Sequence, residues 1–258
     1  MAYTTINKSK LFMNTVTYTA NASNNAITGV GHQPDFLITK SRTSEYGANV
    51  YNSISGVGKF FNGITTGVEG SSTAKIASFD TDGFTLKNGD NSNYTNNGTG
   101  VGWSWKAGTS FSNNAGANGA SIASTGSVNT TAGFSIVKWT GSGSNATISH
   151  GLGFTPNVVL VKNLTGTGNW KMWHKSFATM SGGNATSSLN LNGTNALINT
   201  ASVFNSMATI NTNVFSVGAE GDTNQANQTM IAFVFAEKQG YSKFGSYTGN
   251  GNADGTFV

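Results

Sequence analysis

The 258-residue sequence predicts an all-β protein: two tandem homologous β-sandwich or jelly-roll-like domains, followed by the first strand of a third repeat. Three observations predict it. Polarity comes from Asn, Ser and Thr, because Asp, Glu, Lys and Arg together make up only 9% of residues, against about 25% in ordinary soluble domains. Gly is abundant at 34 residues. A long internal repeat carries turn signals at short intervals. Asn, Ser and Thr bond their own backbone in turns and compete against helix, and Gly supplies the positive-φ positions of tight turns. Between the turns, Val, Ile, Phe and Thr favour short strands. Hydrophobic residues reach 37%, with 16 Phe, 7 Tyr and 5 Trp, enough to bury a core and to exclude a disordered chain.

The repeat sets the domain boundaries. YTANASNNAITGVGHQPDFLITK (18–40) matches WTGSGSNATISHGLGFTPNVVLVK (139–162), pairing Tyr18 with Trp139, Ile27 with Ile148, Gly31 with Gly153 and Lys40 with Lys162. The only two prolines, Pro34 and Pro156, fall on equivalent positions. The copies also end alike. DGFTL (82–86) matches NVFSV (213–217), and VGWSWK (101–106) matches IAFVFA (231–236). Trp103 and Trp105, like Phe233 and Phe235, alternate and so share one face, which predicts a core-facing last strand in each domain.

Residues 1–13 read as an N-terminal arm, 14–107 as the first sandwich, and 133–238 as the second. Residues 108–132, rich in Gly, Ser, Asn and Ala, read as a flexible or extended linker. Residues 239–258 contain YTGNG, similar to the WTGSG of the second copy, and read as the start of a third repeat or as an assembly strand. Within the second copy, strands are expected near 134–140, 146–149, 157–163, 169–175, 187–191, 196–199, 214–218 and 229–237, with a short helix or turn competing over 200–210. NVVLVKN (157–163) reads as a strand buried on both faces.

Several function classes find no support. The formal charge is +4, but the cations are scattered, and no clustered basic patch with aromatics predicts nucleic-acid binding. No run of 18 apolar residues predicts membrane insertion. The opening MAYTTINKSKLF lacks the form of a secretory signal, so synthesis in a cytoplasm is expected. With no Cys, disulfides play no part. No metal, cofactor or catalytic residue is expected. His32, His150 and His174 read as water-exposed turn residues without metal-ligand spacing. The carboxylate pairs Asp80/Asp82 and Glu220/Asp222 read as turn residues. Asp80-Thr-Asp82-Gly opens like a calcium loop, yet Phe84 and Leu86 stand where oxygen donors are needed.

One cluster predicts a contact surface. In NWKMWHKSF (169–177), Trp170, Met172 and His174 share one face and Lys171, Trp173 and Lys175 the other. If the first face is core, the second exposes an aromatic ring beside two lysines. Trp173, Lys171 and Lys175 are therefore candidate contacts for a glycan or a protein partner. The competing reading has Trp173 packed on a neighbouring domain or subunit.

The combination of MAYTTINKSKLF, ITGVGHQPDFLITKSR, SFDTDGFTL, VGWSWKAG, TAGFSIVKWTGSGSNATISHGLGFTPNVVLVKN and GYSKFGSYTGNGNADGTFV resembles a repeat family of predicted virion proteins of marine bacteriophages. HGLGFTP followed by VVLVKN is its most specific part. The resemblance covers most of the chain and implies a non-enzymatic structural protein on the virion exterior. It implies a fibre or appendage attached by the N-terminal arm and contributing to host-surface recognition. Other virion proteins of tail or capsid, further copies of the chain (a trimer in a fibre) and a host-surface glycan are the expected partners. A capsid decoration protein held by its two terminal arms is the alternative, and a carbohydrate-active enzyme a more distant one.

Overall fold

The computed structural model describes residues 4–255. The first unit contains β1 (Met13–Thr19), β2 (Asn25–Ile27), β3 (Phe36–Ser41), β4 (Asn49–Asn52), β5 (Lys59–Asn62), β6 (Gly70–Ser71), β7 (Ile76–Asp80), β8 (Gly83–Leu86) and β9 (Thr99–Trp105). Next come β10 (Thr109–Asn113) and β11 (Ser124–Asn129). The second unit contains β12 (Phe134–Thr140), β13 (Ala146–Ser149), β14 (Val158–Asn163), β15 (Lys171–His174), β16 (Ser187–Asn190), β17 (Ile198–Asn199), β18 (Val214–Val217) and β19 (Thr229–Phe235). The protein is all-β and antiparallel, as the composition predicts. All eight strands expected in the second copy are present, and a short helix, α1 (Ala201–Phe204), occupies the segment where helix and turn competed.

The first large sheet runs β1-β9-β3-β4-β5-β6, with β2-β8-β7 as its partner sheet. The second runs β12-β19-β14-β15-β16-β17, the same order position for position, with β13-β18 as its partner. Each unit is a sandwich with its own core. Leu37, Tyr51, Ile27, Phe84 and Leu86 fill the first, and Val137, Val159, Val161, Phe215 and Val234 the second.

A third core joins the units. The other face of each large sheet packs on its counterpart through Phe36, Val50 and Phe61 from the first unit and Phe134, Ile136, Trp170, Ile231 and Phe233 from the second. Alternation decides who faces what. In β19, Met230, Ala232 and Val234 enter the second sandwich, while Ile231 and Phe233 enter the shared core. Trp105 and Phe235 pack against this shared core too. Trp105, Phe233 and Phe235 thus face a core between the sandwiches, where a core within each was expected. The four sheets stack in the order three-, six-, eight- and two-stranded.

The segment 108–132, expected as a linker, is instead the β10–β11 hairpin, which extends the second sheet by pairing β11 with β12. Its Ser, Thr and Gly residues suit close layering. At Gly126 a Cβ would stand 2.2 Å from the Ile136 carbonyl oxygen and 2.6 Å from the Phe111 ring, so only Gly lets the strand in. Residues 239–255, expected to start a third repeat, contain no strand. β1 and β12 hold their places by pairing with the last strand of their own unit. The described part of the N-terminal arm is folded onto the first sandwich: Ile6 is buried, the Lys10 carbonyl lies 2.8 Å from His32 Nδ1, and Phe12 meets Tyr241 edge-on at 6.2 Å. Residues 1–3 and 256–258 lie outside the described residues.

A paired asparagine clasp recurs in the two units. Asn93 Oδ1 accepts from Asn21 N at 3.0 Å, its Nδ2 donates to the Ser23 carbonyl at 2.7 Å, and its own carbonyl accepts from Ala22 N at 3.1 Å. Asn224 repeats this with Ser142 N at 3.2 Å, the Ser144 carbonyl at 2.6 Å and Gly143 N at 2.8 Å. Both asparagines are fully buried, so losing their partners leaves several buried polar groups unpaired.

Two stability outcomes are expected. Phe233→Ala opens the shared core and costs about 3–5 kcal/mol. Both units melt together in that variant, as one calorimetric transition shifted to lower temperature, because each borders the damaged layer. Asn224→Ala costs on the order of 3 kcal/mol, read from denaturant unfolding curves.

Candidate functional site

The sheet order decides what becomes of the 169–177 cluster. β15 lies inside its sheet, between β14 and β16, and both of its faces are covered. On one side Trp170 stands edge-on to Phe61 of the first unit at 5.1 Å. On the other, Trp173 is partly buried against the second sandwich core. Lys171 is buried, with Nζ 3.1 Å from Glu220 Oε1 and 3.5 Å from Asp222 Oδ2. Burial pushes the Glu220 carboxyl above its usual range, against the attraction of Lys171. Lys175 is about a third exposed and is bound to Glu237 Oε1 at 2.5 Å. The alternation expected from the sequence is present, but the face of Trp173, Lys171 and Lys175 is no open contact surface. The eight-stranded sheet is buried on both sides, where a single sandwich would leave one side wet.

The histidines are buried rather than exposed: His32, His150 and His174 are all below one-tenth accessible. His150 Nε2 lies 3.1 Å from the Asn211 carbonyl, and its Nδ1 accepts from Leu152 N at 3.2 Å. This fixes a neutral ring protonated on Nε2. Burial lowers its pKa to about 4, against the Asn211 bond, which raises it. The carboxylates expected in turns are hydrogen-bonded, Asp82 in the turn after β7 and Asp80 at the end of β7 itself. Asp82 accepts from Gly31 N at 2.6 Å and Gly29 N at 3.1 Å, and these bonds, Gly31 first, hold its pKa down. Asp80 accepts from Thr85 Oγ1 at 2.8 Å. Among the described residues, no group of three His, Asp or Glu is placed to hold a metal ion, and no helix is long and apolar enough to cross a membrane.

Two fully buried charges, Asp90 and Lys162, escaped the sequence reading. Asp90 is fully buried under the first sheet and accepts from Thr39 Oγ1 (3.1 Å), Asn49 Nδ2 (3.0 Å), Ser92 N (2.8 Å), and the Tyr51 and Ser92 hydroxyls. Burial, then the Asp90 charge, raises the pKa of both Tyr51 and Tyr18. Lys162 is also fully buried. Its Nζ donates to the Gly168 carbonyl at 3.0 Å and, across the unit boundary, to the Thr66 carbonyl at 3.3 Å. Burial lowers its pKa to about 8, against Asp222. Nothing in the NGDNSN run marks Asp90 as buried. Lys162 stands at the equivalent of Lys40, so the repeat offered a signal for it.

An exposed pair of aromatic rings lies elsewhere, at the tip of the first unit. Tyr46 and Tyr94 are 44% and 58% exposed, with ring centroids 5.6 Å apart and planes at 83°. Their loops, 42–48 and 87–98, are tied together by Ser44 Oγ to Thr95 Oγ1 at 3.2 Å, Thr99 N to Thr43 Oγ1 at 2.9 Å and Asn91 Nδ2 to the Gly47 carbonyl at 2.9 Å. Lys40 Nζ also pins the first loop through the Ser41 and Ser44 carbonyls. The rings are therefore held in place before anything binds them. At the opposite end of the same strands, a cavity of about 660 Å³ opens between Met13, Trp105, Phe134, Leu160 and Phe235 and is bordered by Tyr241 and Phe244.

A family model described as "Domain of unknown function (DUF7483)" matches residues 8–258. The chain belongs to the DUF7483 family. The match spans both sandwiches, the β10–β11 hairpin and the segment after β19. The unit of DUF7483 is thus the whole stack rather than one sandwich. No curated protein and no solved structure matches the chain.

The buried histidine gives a pH prediction. With His150 near 4 when folded and about 6.5 when unfolded, the unfolded chain binds the extra proton between those values. Its contribution is whole above pH 6.5 and is lost as pH falls to 4, by about 3 kcal/mol. His150→Gln, although less stable at pH 7, loses less on going from pH 7 to 4 in urea unfolding.

Proposed function

We propose that the chain is a non-catalytic structural protein of the exterior of a bacteriophage particle, an appendage or fibre component that contributes to host-surface recognition. One observation carries the polarity of this reading. In the β3-β9-β1 ladder, Phe36, Trp105 and Met13 align at one end, and Ser41, Gly100 and Tyr18 at the other. Phe12 and Tyr241 meet beside the first end, and the loop carrying Tyr46 leaves from the second. Five residue steps at about 3.4 Å each put the two ends roughly 17 Å apart. One end offers both terminal segments for attachment, and the other offers a preformed aromatic contact. Such a contact is weak singly and strong when many copies display it on one particle. The sequence resemblance to virion repeat proteins supports the particle, and the tyrosine tip supports the surface contact. Tyrosine rings suit the faces of sugars or a protein partner.

Capsid decoration is the second reading. The side-by-side placement of residues 9–13 and 241–244 favours it, because both terminal segments can then grip one site on a head.

Antibody labelling of intact particles tests both. Label on tail tips or projecting fibres is the expected result, even label over the head selects decoration, and particles free of label end the virion reading. The double variant Tyr46→Ala/Tyr94→Ala is expected to lower binding to host cells at least tenfold while shifting the melting temperature by only a few degrees. Unchanged binding moves the contact away from this tip.

A further inference from the structure

β1 and β12 occupy equivalent places, and they differ in one respect. Each pairs on one side with the last strand of its unit, β9 or β19. On its other side β12 carries β11, in register from Ser124 opposite Trp139 to Asn129 opposite Phe134. The other side of β1 pairs with no strand among the described residues.

Which backbone groups face that open side follows from the ladder. The Phe12 carbonyl accepts from Lys106 N at 2.8 Å, and Ala20 N donates to the Gly98 carbonyl at 2.7 Å. The even-numbered residues therefore turn to β9, and Met13, Thr15, Thr17 and Thr19 turn their N–H and C=O groups outward. Asparagine side chains occupy two of these groups: Asn14 Oδ1 accepts from Thr15 N at 2.9 Å, and Asn25 Nδ2 donates to the Thr19 carbonyl at 2.9 Å. Both are short polar side chains that can yield to a ladder bond.

Edges of this kind are ordinarily blunted by charge, proline, a bulge or shortness. The β6 and β17 edges are two residues long. β10, the fourth edge of the two large sheets, belongs to the hairpin already added to β12. β1 is seven residues long, without charge or proline, and its register with β9 is unbroken.

We infer that β1 pairs antiparallel with the β1 of a second copy of this chain, about a twofold axis, fusing the two six-stranded sheets into one. The composition of the edge selects this occupant. A twofold pairing sets an edge against itself, so any charge on it would face its like. Met13–Thr19 carries none, and its exposed Thr15, Thr17 and Thr19 offer cross-strand threonine pairs, which stabilise a sheet. The added strand β11, Ser-Thr-Gly-Ser-Val-Asn, shows within the same fold that such a position accepts a small, uncharged, hydroxyl-rich strand. The inference does not depend on where the protein acts.

Sedimentation equilibrium of the full chain and two variants tests it. Thr17→Pro removes an outward N–H that β9 does not use, at an edge position where proline is tolerated. Thr17→Lys places like charges across the axis. The expected result is a wild-type dimer, dissociation at least tenfold easier in each variant, and melting temperatures within a few degrees of wild type measured at low concentration. If Thr17→Pro fails to fold, Thr17→Lys decides. A wild-type monomer at the highest soluble concentration overturns the inference, and so does a dimer whose affinity Thr17→Lys leaves unchanged.

Discussion

Phe36 lies 4.2 Å from Phe233 and 5.2 Å from Trp105, centroid to centroid, in the layer between the two large sheets. Phe134 and Phe235 stack beside them at 4.9 Å, and Trp170 lies nearly parallel to Phe233 at 6.0 Å. Once these rings are buried, neither large sheet has an open face over its centre. Strands that would alternate between apolar and polar in a free-standing sandwich become apolar on both sides. Charged side chains lose their usual place, which is one physical reason why the composition is so poor in them. Those that remain in this layer are tied down, as Lys162 is to the carbonyls of two units. Trp173 and Lys171 are covered on the opposite face, by the core of the second sandwich and by Glu220 and Asp222.

The two units use the same internal devices and then diverge at one loop. Lys40 and Lys162 each pin the loop after the third strand, through Ser41 and Ser44 in one unit and Gly168 in the other. In the second unit that loop is absorbed at the unit boundary, where Gly168 N donates to the Thr66 carbonyl at 2.9 Å and Glu69 N donates to the Leu164 carbonyl at 2.9 Å. In the first unit the corresponding loop meets no such partner and holds Tyr46 in the open. A shared lysine thus pins a loop that joins the units in one copy and stands in the open in the other, with tyrosine at position 46 where the second copy has Gly168.

Much of the fold was legible because strand and turn chemistry is local. The matched prolines, the Val-Val-Leu-Val-Lys-Asn run and the alternating Trp103/Trp105 and Phe233/Phe235 pairs placed the strands correctly. What the strand faces meet is a long-range fact. Alternation says that Trp173 and Lys171 share a side, and it cannot say that another layer lies over that side. The 108–132 segment misled for a related reason. Gly, Ser and Asn are the composition of a linker, but also of a strand that must slide under a ring, as Gly126 does under Phe111. The clasp left a faint trace in Ser92-Asn93-Tyr-Thr-Asn96 and Thr223-Asn224-Gln-Ala-Asn227, readable once the repeat is aligned. Tyr46 and Tyr94 come together from loops far apart in the chain, and no spacing rule joins them.

The placement of the terminal segments and the tyrosine tip at opposite ends of β1, β3 and β9 has a mechanical consequence. A pull applied between them runs along the strands. Antiparallel ladder bonds lie across the strands, so such a load tries to slide neighbours past one another and must strain many bonds at once. A pull across the sheet would peel them apart one at a time. The body therefore resists tension along this axis better than tension across it.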